Sequence, residues 1–582
     1  MLVITIKSVK YLNLEPARKY YTNTMQLKLF FTLVFSGFLI GSLSAQSLLT
    51  QKKEFTRADS LRGSLRPERT CYDVNYYELN IKIDTGARTI TGSNTISFIT
   101  MQDFREMQID LFENMNIINI TMGNKELRYR REFNAVFVEM PETMEEGTGG
   151  EITVNYHGKP TEAKRAPWDG GFTWTYDERG NLWVGVSCEG IGASLWWPNK
   201  DYLGDEPDSM RIICTVPWGL KCIANGNEEG QQRNPDGTST FKWFVSYPIN
   251  NYNVTLNIGD YVHFHDEYTS ADEDILSLDY YVLSYNLAKA KKHFTQVKPM
   301  LACYEKYLGK YPFWNDGYAL VETPYLGMEH QGAIAYGNKY KTGYAGIDFS
   351  RIGLDFDYII IHETGHEWWG NSVSCYDIAD MWIHEGFCTY SEAIYVECMH
   401  GYETAMRYVN AKKATVGNKK PIVGVYGVNE EGDGDMYNKG MLFLNTLRHV
   451  VNDDQLWWNT IKGMSDTMFK MQNIGYNDVV NYFNFKTNRD LSAAFEQYLK
   501  HTSIPVFEYS LRKVKAKTFE LKYRWNADVK GFALPVFIST GGNAFNQLAT
   551  TDEWQTTTLQ MDKESNFKVN DEWMYIYTRK GM

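Results

Sequence analysis

The sequence predicts a multidomain α+β protein, with an all-β region, then a mainly helical one, then a short β tail. Three observations carry this reading. Apolar residues alternate with polar ones from about Cys71 to His265, recur at helical spacing after about Leu283, and alternate again from Phe519. The expected organisation is an upstream segment with a signal peptide over 1–45, an N-terminal β domain over 60–265, a mainly helical domain over 266–505 and a C-terminal β domain over 506–582.

The elements follow in order. Tyr77-Glu78-Leu79-Asn80-Ile81-Lys82-Ile83 alternates, Asp84-Thr85-Gly86 supplies a turn, and Thr95-Ile96-Ser97-Phe98-Ile99 resumes the alternation. Glu146-Gly147-Thr148-Gly149 and Asn234-Pro235-Asp236-Gly237 are further turn clusters. From Asn286 to Tyr307 the spacing of Ala290, Phe294, Val297, Met300, Leu301 and Tyr304 predicts one helix, closed by Gly309. Helical segments are expected from there to about Thr502. In the tail, Phe519, Leu521, Tyr523 and Trp525 share one face, and Trp573 to Tyr577 reads as a last strand. A tail of this size suits a short β-sandwich.

Composition excludes several function classes. The 582 residues carry 59 basic and 71 acidic side chains, a net charge of −12, with no basic tract. Such a chain is a poor partner for a phosphate backbone, so no nucleic-acid partner is expected. Near the start, Lys28 precedes a largely apolar run from Leu29 to Ile40, and Gly41-Ser42-Leu43-Ser44-Ala45 offers small residues for cleavage. These are the parts of a secretory signal at about 25–45, with Met25 as the true start. The run falls short of the roughly 20 apolar residues of a spanning helix, so no stable transmembrane span is expected. The protein is therefore expected to be exported, periplasmic or secreted, with a mature charge of −16. Eight cysteines without a C-x-x-C pair read as buried small apolar residues rather than a disulfide framework.

The chemistry centres on His362-Glu363-Thr364-Gly365-His366. On a helix, residues four apart share a face, so both imidazoles reach one metal ion and Glu363 points beside it as a general base. A catalytic zinc needs a third protein ligand and an open fourth position. Glu385, after eighteen intervening residues and at the start of another helical run, provides it.

H-E-x-x-H, eighteen residues, then Glu followed by Gly386-Phe387, resembles the aminopeptidase N family of zinc metallopeptidases, which also includes leukotriene hydrolase. Trp368-Trp369-Gly370-Asn371 resembles that family's ending of the zinc helix. Residues 304–313 resemble its helix-to-strand lead into the catalytic domain. Gly327-Met328-Glu329 resembles its exopeptidase motif, and Tyr437-Asn438-Lys439-Gly440 its Tyr-x-Lys-Gly. The resemblance covers about 71–500. It implies a thermolysin-like catalytic domain and one zinc per chain, held by His362, His366 and Glu385. It further implies Glu363 as the catalytic base, Tyr437 as donor to the tetrahedral intermediate, and Glu329 as anchor of the substrate's α-ammonium, beside Gly327 and Met328. Glu189 resembles a second amine-binding carboxylate. Leu326, His330 and His384 depart from the family's pattern, which leaves substrate preference open. The 145 residues after Tyr437 are too few for the large C-terminal helical domain of many relatives, so none is expected.

The reading is a zinc-dependent aminopeptidase acting on peptides with a free N-terminus. Its alternatives are a zinc endopeptidase or small-molecule hydrolase with the same site, and a non-catalytic peptide-binding protein. Glu392 is expected to be solvated or to lie behind the ligands, and His330 to border the cleft without ligating.

Overall fold

The structure, a computed structural model, describes residues 54–350, 352 and 355–581. The signal-peptide reading for about 25–45 falls outside them. Among the described residues no helix is long and apolar enough to cross a membrane.

Alternation produces an eight-stranded sheet. From one edge its strands are Asn227–Arg233, Thr238–Val245, Ser209–Pro217, Tyr72–Asp84, Thr89–Thr100, Gly149–Gly158, Met115–Met122 and Lys125–Glu126. Tyr77, Leu79, Ile81 and Ile83 point into its core, as do Ile96 and Phe98 across the ladder. The expected turn at Asn234–Gly237 closes the edge hairpin, and Gly237 adopts φ +84°, which the missing Cβ permits. A three-stranded and a four-stranded sheet complete this region; the latter includes Leu182–Ser187, which leads to Glu189.

The strand that crosses residue 265, Tyr261–Thr269, belongs to a different sheet. It pairs with Ile275–Leu283, followed by Tyr318–Glu322, Ile334–Tyr336 and the edge strand Gly327–Met328. Three of these strands lie where only helices are expected. They are short and buried on both faces, so they show no alternation to read.

The expected helix over 286–307 is interrupted. Leu287–His293 and Val297–Leu308 are α-helical, joined by a tighter turn over Phe294–Gln296. Pro299 has no N–H to bond back into that turn. Gly309 closes the second helix at φ +102°. The largest core cluster spans the five-stranded sheet, these helices and the tail.

The tail forms a four-stranded and a three-stranded sheet, and Phe519, Leu521, Tyr523 and Trp525 are buried along one face as expected. Its last strand starts only at Tyr577 and ends at Lys580. Met574, Tyr575 and Ile576 are buried but unpaired: the Tyr575 N–H donates to Thr446 Oγ1, and Lys413 Nζ donates to the Met574 carbonyl. Their apolar character reflects packing onto the helices.

The histidine helix, Tyr358–Gly365, hangs on one buried carboxylate. Asp357 caps it by accepting from the Ile359 and Ile360 N–H groups, and it also accepts from His293 Nε2, Tyr336 OH and Asn338 Nδ2, each at 2.7 Å. Replacing Asp357 by alanine leaves these buried donors unpaired. The expected cost is about 2–5 kcal/mol of stability, to be read from the denaturation midpoint against wild type.

Candidate metal centre and cleft

The histidine helix presents His362 in its last turn, with His366 as its C-cap. The chain then turns through Gly370, whose φ of +118° excludes a side chain that would sit 3.3 Å from His366 Nδ1. The return helix, Trp382–His400, brings Glu385 back beside the histidines. Ring contacts lock the two: Trp369 stacks on Phe387 with centroids 4.7 Å apart, and its indole N–H donates to Ser391 Oγ.

Each imidazole is oriented by its Nδ1. His362 Nδ1 donates to Glu392 Oε1 at 2.7 Å, and His366 Nδ1 donates to the Trp369 carbonyl at 2.8 Å. The two Nε2 atoms thereby face each other 3.3 Å apart. Glu385 Oε2 lies 3.6 Å from one and 3.4 Å from the other, is buried, and has no hydrogen-bond donor. Tetrahedral ligands at 2.0–2.2 Å from a zinc ion stand about 3.3–3.6 Å apart, so this triangle has the dimensions of such a site. Cys388 also lies within reach of both histidines, but its thiol donates to the His362 carbonyl at 2.9 Å on the backbone side. With Cys388 engaged there, two imidazoles and the Glu385 carboxylate have the spacing to serve as a donor set.

The electrostatics demand positive charge here. Burial opposes protonation of His362 and His366, yet Cys388 and Glu385 outweigh it and raise both above the usual imidazole range. Burial also works against the Glu385 carboxylate, and the two imidazoles reverse this and hold it below the usual range. Glu363, one residue past His362, is pushed up to about 7 by burial, with the imidazoles opposing and Glu329 and Glu385 adding to it.

These groups open onto a cleft of about 700 Å³. Glu189, Gly327, Met328, Glu329, His362, Glu363, His366, Glu385 and Tyr437 all line it. Gly327 is required by contact, since a Cβ there would stand 2.6 Å from Glu363 Oε1. Glu329 is buried, accepts from Tyr252 OH at 3.1 Å, and has its backbone carbonyl fixed by Asn371 Nδ2 at 2.8 Å. Burial raises Glu329, and burial together with the Glu329 charge raises Glu189 well above the usual carboxylate range.

Tyr437 sits in the first turn of the helix Met436–Val451, where Gly440 meets Gly386 of the return helix so closely that a Cβ would stand 2.7 Å from the Gly386 Cα. Its hydroxyl donates to Glu385 Oε1 at 2.8 Å rather than facing open space. Lys439 of the same motif turns away and donates to the His501 carbonyl.

Glu392 is fully buried and also accepts from Tyr358 OH and Tyr408 OH, so of its two expected placements it takes the one behind the histidines, and its carboxylate orients His362. Other supporting residues escaped the sequence reading. Asp357, Tyr252 and Asn371 carry no motif of their own. His330 is fully buried and is not among the residues lining the cleft, contrary to expectation; burial lowers its imidazole to about 3.

Comparison with known proteins agrees with this geometry. Residues 293–498 match the peptidase family M1 domain. This region is thus similar to aminopeptidase N-like members of that family. Aminopeptidase N of Escherichia coli is 26% identical over 215 residues, covering 36% of this chain and 24% of its own. A leucyl aminopeptidase of Saccharolobus solfataricus is 20% identical over 515 residues, 85% of this chain and 62% of its own. This chain thus spans under two thirds of these curated relatives. The fold is shared with an M1 zinc metallopeptidase of Deinococcus radiodurans, crystallised as a mutant with a Tyr-Ser-Ala substrate. That likeness has a TM-score of 0.65 at 18% identity, over 76% of this chain and 98% of that one.

Because Glu392 sets the tautomer of His362, Glu392→Gln is expected to weaken zinc binding about 10–100-fold, measured by competition with a chromophoric chelator. Unchanged affinity would remove Glu392 from the site's support.

Proposed function

We propose that the protein is a zinc-dependent aminopeptidase that removes N-terminal residues from peptides. The observation that carries this is the pairing of two carboxylates, Glu329 and Glu189, with the His362–His366–Glu385 triangle in one cleft. A semi-enclosed site with carboxylates on one side of a metal centre suits a peptide's α-ammonium and sets its first peptide bond against the metal.

His362, His366 and Glu385 would hold one zinc ion per chain, which supplies Lewis acidity to polarise a carbonyl and acidify water. Glu363 takes a proton from the attacking water and passes it to the leaving amine, a task suited to a carboxylate titrating near neutrality. Tyr437 exchanges its hydrogen bond to Glu385 for one to the developing oxyanion, a contribution of about 3–4 kcal/mol in comparable sites. Glu329, with Glu189, holds the free N-terminus, and Gly327 keeps the edge strand close enough to align the substrate backbone with Glu363. We further propose that the domains run over 60–265, 266–505 and 506–582, with a thermolysin-like middle domain and a short C-terminal β-sandwich. Export rests on the signal-like segment at about 25–45.

Glu363→Gln retains shape and loses the base. It is expected to keep zinc, by elemental analysis, while kcat falls about a hundredfold or more. Full turnover in this variant would reject the base assignment.

The exopeptidase reading is tested by acetylation of the substrate. Removing the α-ammonium leaves buried carboxylates unpaired, so kcat/KM is expected to fall at least about tenfold. Glu329→Ala should lower activity on free peptides and narrow the gap between free and acetylated ones. Equal cleavage of both by wild type would favour the endopeptidase alternative.

A further inference from the structure

The eight cysteines do not share one environment: seven are buried, and Cys398 is exposed, against the uniform burial expected. Cys398 lies in the last turn of the return helix, and Cys303 lies midway along Val297–Leu308. Cys303 Sγ is 3.8 Å from the Ile394 carbonyl oxygen, one helical turn before Cys398. Side chains on a helix lean back over the preceding turn, which carries the Cys398 sulfur toward that spot. The pairing of the two helices thus sets the two thiols side by side.

We propose that Cys303 and Cys398 form a dithiol–disulfide site whose oxidant is a low-molecular-weight disulfide. The site is independent of the peptidase reading. Its partners are unequal. The neighbouring Cys303 thiol, opposed by burial and aided by Lys306, brings the Cys398 thiol down to about 7. The neighbouring Cys398 and burial raise Cys303. An accessible thiolate beside a buried thiol has the arrangement of an attacking and a resolving cysteine.

In the first step the Cys398 thiolate attacks one sulfur of the small disulfide, forming a mixed disulfide and expelling one thiolate. The Cys303 thiol then loses its proton, and its sulfur displaces the second small thiolate from Cys398. Two protein thiols are oxidised by two electrons in all, and the small disulfide is reduced to two thiols that take up the two protons. The new bond joins the far end of the Glu385 helix to the helix whose Tyr304 hydroxyl donates to the Ile361 carbonyl in the histidine helix, at 2.9 Å.

The test uses the full chain, reduced, freed of reductant and exposed to oxidised glutathione. It is then alkylated, denatured and digested without reduction for mass spectrometry. Wild type is expected to yield a peptide pair linked through Cys303 and Cys398, and Cys398→Ser to yield none. Cys303→Ser should stop at a glutathione adduct on Cys398. Retention of all eight thiols by wild type, a link between other cysteines, or no adduct on Cys398 in Cys303→Ser would each overturn the proposal. As a second readout, oxidised wild type should melt at least about 2 °C above the reduced protein, with no such shift in Cys398→Ser. Identical melting of the two wild-type forms would refute a link between these helices.

Discussion

Two imidazole nitrogens and a carboxylate oxygen are held 3.3–3.6 Å apart in a buried pocket, a spacing that suits a shared cation. The scaffold around His362, His366 and Glu385 fixes that spacing. Glu392 and the Trp369 carbonyl hold the two rings by their other nitrogens, so neither can rotate away. Asp357 holds the start of the histidine helix, and the Trp369–Phe387 stack holds the return helix against it. Without these restraints a small ring rotation would part the three atoms. With them, the arrangement is preorganised for a cation.

The rest of the cleft follows from the same fixed frame. The edge strand at Gly327–Met328 approaches Glu363 closely because residue 327 has no side chain, and Glu329 follows with its carboxylate near Glu363 and His366. Asn371, just past the histidine helix, holds the Glu329 backbone, while its own Oδ1 accepts from Asn253 in the β-rich region. The histidine helix and the Glu329 segment are thereby tied through backbone and amide contacts that do not depend on an ion.

Much of this was legible in the sequence because it is periodic or spaced. The four-residue step from His362 to His366 and the return to Glu385 need only helix geometry. Alternation disclosed Tyr72–Asp84 and the Phe519–Trp525 face for the same reason. What escaped lacks a local pattern. Gly327–Met328 has two residues, too few for a period, and Tyr318–Glu322 is buried on both faces. The Glu392 partnership with His362 spans thirty residues and depends on how two helices cross. Residues 573–576 were misread as strand because a buried irregular segment and a buried strand are equally apolar. Cys398 was misplaced since exposure at a helix end leaves no trace in composition.

The contact between Gly386 and Gly440 has a consequence for motion. Two helices that meet backbone to backbone have no side chains to slide over, so neither shifts along the other at low cost. The half-buried Tyr437, one turn before Gly440, is thus anchored at its Cα and mobile only about its side-chain torsions. The proposed exchange between Glu385 and a ligand then needs only rotation about those torsions, with no domain movement to wait for.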